Sequence, residues 1–154
     1  MVYNKAMQEL ILGKLKINKD TPAVIIAELS DGHMGSLEKA RELASAAKDA
    51  GADVLKVQMH FPDEEMTSGV KMWAGDLQDI LKKVLFSPEN HKALKKHCEE
   101  IGIQYLCTPF SPKAVDVLYD MGVDGFKTGS GEIYNLPFHR KVAKISAQTK
   151  KPVF

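Results

Sequence analysis

The chain has 154 residues, of which 44% are hydrophobic and 27% charged, the size and composition of one globular domain, which excludes a disordered or fibrous polypeptide. Its 21 basic and 20 acidic residues are intermixed and leave a net charge of +1, so no basic stripe argues for a nucleic-acid partner. Cys98 and Cys107 have neither paired nor metal-like spacing and the longest apolar runs are strand-sized, which reads as a cytoplasmic protein without a membrane partner.

In chain order, Leu10 to Asn18 alternates around Gly13 and predicts a small hairpin within an N-terminal extension over 1–22. Ala23 to Leu29 is nearly all apolar, which predicts a strand buried on both faces. It leads through Asp31-Gly32-His33-Met34-Gly35 to a helix opening near Ser36, with Leu37, Ala40, Leu43, Ala44 and Ala47 on one face and Gly51 at its end. Asp53 to Gln58 is the second strand. Its return is longer: a loop through Pro62 and Gly69, in which Met66, Met72 and Trp73 read as loop packing or a lid, then a helical stretch over Leu77 to Leu85 and a helix from Ser87 to Ile101.

Ser87-Pro88 and Ser111-Pro112 each combine a capping hydroxyl with proline at the first helical position, and both helices stop at a glycine, Gly102 and Gly122. Strands follow at Ile103 to Cys107 and Val123 to Lys127, a fourth helix runs from about Asn135 to Gln148, and Pro152-Val153-Phe154 opens a fifth strand. This is the grammar of about four βα units with a parallel sheet. A doubly wound sheet and a (β/α)₈ barrel share it, but no Gly-x-Gly-x-x-Gly follows the first strand, which counts against a dinucleotide fold.

Polar residues gather at the strand ends where parallel α/β proteins build sites: Glu28, then Lys56 and Gln58, then Thr108, then Lys127, Ser130 and Glu132. Phe126-Lys127-Thr128-Gly129-Ser130-Gly131-Glu132 is the densest of these clusters. Glycines 129 and 131 are expected to take positive φ so that backbone N–H groups converge on an anion, with Lys127 supplying charge and the hydroxyls direction. A carboxylate beside bound negative charge, as at Glu132, points to proton handling. His33 and His60 lie in loops facing the same end. His91 and His97 are on different helix faces, which argues against paired metal ligands.

With these residues laid out, the chain resembles the N-acetylneuraminate synthase family, which condenses phosphoenolpyruvate with an N-acylated amino sugar to form sialic-type nine-carbon acids. The matching segments are Ile25-Ile26-Ala27-Glu28 with His33 and Gly35-Ser36, Ala50-Gly51-Ala52-Asp53 through Lys56-Val57-Gln58, Thr108-Pro109-Phe110, and Phe126-Lys127 through Glu132 with Asn135-Leu136-Pro137. Several motifs in family order make the match specific.

The resemblance implies the first half of a (β/α)₈ barrel over 23–154, stopping at the opening of strand five, behind the N-terminal hairpin. It implies that Lys56, Thr108, Lys127 and Ser130 bind phosphoenolpyruvate, that Gln58 contacts the sugar, and that Glu132 and Glu28 are catalytic, the former at a proton and the latter near a water. A divalent metal, Mn²⁺ or Mg²⁺, is implied for the complete enzyme, with histidine ligands on later strands absent from this chain. A homo-oligomer, or association with a missing C-terminal half, follows, and the chain alone is expected to be inactive. Gly32, Met59 and Cys107 depart from the common family residues, and the loop from His60 to Asp79 diverges. The alternatives are another phosphoenolpyruvate-condensing or Schiff-base aldolase barrel, using Lys127 or Lys56 as nucleophile, and a non-catalytic half-barrel module.

Overall fold

Leu10–Leu12 (β1) and Leu15–Ile17 (β2) pair antiparallel across a turn in which Gly13 has φ +58°, as the alternating sequence predicts. The computed structural model describes residues 9–72 and 75–154; residues 1–8 of the extension, and Trp73 of the predicted lid, lie outside them. Then come Ile26–Ser30 (β3), Leu37–Asp49 (α1), Val54–Met59 (β4), Pro62–Glu65 (α2), the short ribbon of Lys71–Met72 (β5) and Gly75–Asp76 (β6), and Leu77–Lys83 (α3). Pro88–Ile101 (α4), Gln104–Pro109 (β7), Pro112–Asp120 (α5) and Leu136–Thr149 (α6) complete the order.

Strands β3, β4 and β7 form a parallel sheet in that order, and single parallel bridges from Cys107 to Phe126 and from Phe126 to Val153 continue it. This is an α/β fold, part of a (β/α)₈ barrel with an N-terminal hairpin. Side chains alternate across the sheet. One face sends Leu55, Val57, Met59, Tyr105, Cys107 and Phe126 into a core with α1, α4, α5 and α6. The two alanines Ala40 and Ala44 are fully buried on α1, which packs on α4; their small size permits that approach. The other face, the barrel interior, buries Val54 and Leu106 under Leu12, with Leu15, Ile17, Val24 and Phe154 around them. The hairpin is thus the floor of the barrel, and Gly125 leaves room for it: a Cβ there would stand 2.8 Å from Leu12 Cδ1.

The paired caps form as read. Ser36, Ser87 and Ser111 each accept the backbone N–H three residues on, and Gly102 closes α4 at φ +74°. Two expectations are corrected. The first strand begins at Ile26 rather than Ala23, because the Asp53 carboxylate takes the Ile25 N–H at 2.8 Å; nor is it buried on both faces, since Ile25 and Ile26 are exposed and β4 is its only partner among the described residues. Val123 to Lys127 makes a bridge, not a ladder: the Phe126 N–H donates to Pro152 O, and proline has no N–H to extend the pairing. No helix among the described residues is long and apolar enough to cross a membrane.

Candidate functional site

Above the apolar floor, the interior parity that gives Val54 and Leu106 next gives Lys56, Gln58 and Thr108, at the C-terminal ends of β4 and β7. Lys56 is mostly buried, its ammonium ion-paired with Glu28 of the neighbouring strand and 3.4 Å from Thr108 Oγ1. Glu28 and Lys56 face each other in register, and Glu28 also accepts the Ser30 N–H at 2.9 Å. That bond spans a register shift, beyond which Ser30 sits at φ +48°, left-handed for a non-glycine residue and a local strain beside the carboxylate.

Lys127 is on the same rim, its backbone N–H bound to Cys107 O at 3.3 Å, which sets it beside Thr108. Its ammonium turns onto Thr128 O. Ser130, Gly131 and Glu132 form a 3₁₀ turn, in which the Glu132 carboxylate accepts from Asn135 Nδ2 at 2.7 Å and its carbonyl from His139 Nε2 at 2.8 Å. The structure therefore joins Glu28, Lys56 and Thr108 by direct contacts and places Gln58, Lys127, Ser130 and Glu132 on or just beyond the same strand ends. Among the described residues no hydrogen bond or ion pair joins the side chains of Lys127, Ser130 and Glu132 to those of Glu28, Lys56 and Thr108.

The glycine expectation is corrected. Gly129 has φ −71°, and Gly131 is not among the positive-φ residues. What Gly129 provides is space, because a Cβ there would lie 2.9 Å from Phe110 Cε1. His33 stands in the loop after β3. It is fully buried, stacked on Phe86 at 4.2 Å, with Nδ1 accepting the Gly35 N–H and Nε2 unpartnered; burial lowers its pKa. His60 does sit at the rim, between Gln58 and Glu65. Glu65 and Asn135 were not legible as site residues, although proline at the first position of a short turn and asparagine at a helix cap were local signals for where they stand.

Burial pushes the Cys107 thiol up to about 12, which rules it out as a thiolate nucleophile near neutrality, and raises the Asp31 carboxyl against the opposing pull of His60 and His33. Among the described residues there is no group of three or more His, Cys, Asp or Glu that could hold a metal ion. A cleft of about 530 Å³ opens at the other end of the strands, between Gly13, Lys14, Asp53, Gln104 and Asp124. It lies away from the strand-end lysines and hydroxyls, and parallel α/β folds build their sites at strand C-termini.

Residues 43–154 match the model of the NeuB family. The chain is 33% identical over 132 residues to the N,N'-diacetyllegionaminic acid synthase of Campylobacter jejuni, covering 80% of this chain and 40% of that one. It is 30% identical to the human N-acetylneuraminate-9-phosphate synthase, covering 80% and 36% respectively. In three dimensions it resembles the N-acetylneuraminic acid synthetase of Leptospira borgpetersenii, solved in complex with citrate, with a TM-score of 0.81 at 29% identity over 90% of this chain and 47% of that one. The chain spans 41%, 40% and 36% of the length of the first three curated relatives it matches.

Proposed function

The chain belongs to the NeuB family, and on that footing we propose that it carries the donor side of a synthase joining phosphoenolpyruvate to an N-acylated amino sugar, giving a sialic-type nine-carbon acid and phosphate. The observation that carries this reading is the Lys56 ammonium, mostly buried and set between the Glu28 carboxylate and the Thr108 hydroxyl on the rim that also bears Lys127 and Ser130. An ammonium has three donors. Two are directed at Glu28 and Thr108, and the third, without a partner among the described residues, is left for a phosphate or carboxylate oxygen. Lys127 adds a second positive charge once its ammonium leaves Thr128 O, and the two lysines offset part of the charge of a phosphorylated carboxylic acid.

In the proposed reaction, C3 of phosphoenolpyruvate bonds to the aldehyde carbon of the open-chain sugar and the aldehyde oxygen gains a proton. Water adds at C2, and phosphate leaves. Glu28, fixed by Ser30 and Lys56, is placed to take the proton of that water. Glu132, oriented by Asn135, handles a proton near the reacting carbons, and Gln58 meets the sugar. A Mn²⁺ or Mg²⁺ ion over the aldehyde would need ligands from outside the described residues.

Calorimetric titration with phosphoenolpyruvate tests the donor reading. Lys127→Ala and Lys56→Ala are each expected to weaken binding by about 1.5–3 kcal/mol through loss of a charge-assisted contact. Donor affinity unchanged in a variant removes that lysine from the site.

A further inference from the structure

Gln58 and His60 are two residues apart at the end of β4, so their side chains leave the same face. The His60 ring stacks on Phe110, with centroids 4.5 Å apart and planes 15° apart, and Phe110 fills the space that a side chain at Gly129 would need. Along its edge the ring is held at both nitrogens: Nδ1 lies 2.8 Å from Glu65 Oε2, and Nε2 3.1 Å from Gln58 Oε1. The other Glu65 oxygen accepts the Phe61 N–H. Only 4% of the Glu65 side chain and 11% of the His60 side chain are exposed. Ring and carboxylate are therefore fixed in place by stacking, a helix turn and three hydrogen bonds.

An ionised carboxylate only accepts, so His60 Nδ1 carries a proton. The state of Nε2 then decides what Gln58 can do. In the imidazolium, Nε2 donates, the Gln58 carbonyl turns to it, and the amide NH₂ is left for the rim. In the neutral ring, Nε2 accepts, the amide turns end for end within the same volume, and the carbonyl is left for the rim. We propose that His60 and Glu65 are positioning residues that set which end of the Gln58 amide faces the substrate, so that one proton behind the site selects between a donor and an acceptor for the sugar's polar groups. The assignment of that substrate as the sugar rests on the function proposed above; the coupling of His60 to Gln58 does not.

The titratable groups around His60 are Glu65 on α2, Asp31 and His33 in the loop after β3, and His91 on α4. Lys113 of α5, over the Phe61 ring, is engaged by Glu64.

The test is nuclear magnetic resonance on the 154-residue chain, following the His60 ring nitrogens and the Gln58 side-chain NH₂ from about pH 5 to about pH 8. The expected result is that both move with one midpoint. Glu65→Gln, which replaces the carboxylate facing Nδ1, is expected to displace the His60 and Gln58 signals together. Gln58 resonances that stay fixed while His60 titrates overturn the proposal, as do His60 and Gln58 signals that ignore Glu65→Gln. A His60 ring that keeps one state throughout, with a Gln58 amide unmoved by Glu65→Gln, overturns it too. If Glu65→Gln does not fold, the native titration decides alone. Coupled titration in a chain that binds no phosphoenolpyruvate supports the pair and counts against the donor reading, so the two failures are separable.

Discussion

His91 shows how strongly one side chain can tie this fold to pH. It is fully buried on α4, its Nδ1 2.9 Å from the Tyr105 hydroxyl and its Nε2 without a partner, and burial lowers its pKa to about 3 from an ordinary 6.5. The folded value lies below the unfolded one, so between them the unfolded chain holds the extra proton. His91 therefore contributes no penalty above about pH 6.5 and destabilises the fold progressively as pH falls towards 3, by up to roughly 1.4 kcal/mol per unit. Burial depresses His33 in the same direction. Urea unfolding at several pH values is expected to show this slope, and His91→Gln to flatten it; an equal slope in the variant means the penalty arises elsewhere. The sequence sets His91 on a helix face apart from His97, with a surface or packing role, but does not show its edge-to-face contact with Phe86.

At the scale of elements, Ser87-Pro88 and Ser111-Pro112 are the same device in two settings. Ser111 is buried and its hydroxyl accepts the Ala114 N–H at 3.1 Å; Ser87 is partly exposed and accepts from Asn90 at 3.2 Å. Water can replace the lost acceptor at Asn90 but not at Ala114. Ser111→Ala is thus expected to cost about 1–2 kcal/mol and Ser87→Ala about 0.5–1 kcal/mol, read from denaturant midpoints. Equal losses would show that burial does not govern these caps. Helices and central strands were legible because caps, prolines and alternation are local signals. The α2 turn and the β5–β6 ribbon were not, being four and two residues long and too short to show a period, and the bridge at Phe126 depends on partners distant in sequence. The site was legible as a list of strand-end residues, whereas the Glu28–Lys56 pair and the His60–Glu65 contact depend on register and on a helix that no periodicity announces.

For the whole molecule, the sheet has two outer members, β3 and the Val153 segment, each with one neighbour among the described residues. Ile25, Ile26 and Val153 are exposed there. Unpaired backbone edges beside apolar side chains favour association. The 154-residue chain is expected to self-associate in sedimentation velocity, or to bind a complementary half-barrel added in trans. A stable monomer that unfolds cooperatively would count against this.

The hairpin floor bears on how such a chain reaches its fold. Leu12 meets Gly125 and packs with Phe154, so the contact that seals the barrel interior joins the first described strand to the last. Helix and adjacent-strand contacts close short loops and can form early, while this one closes nearly the whole chain and bears the largest entropic cost. The floor is thus expected to form late in folding, after the sheet has curved enough to receive it. Until then the polar rim has no rigid base, and the same few leucines that carry no chemistry determine when the site becomes an ordered surface.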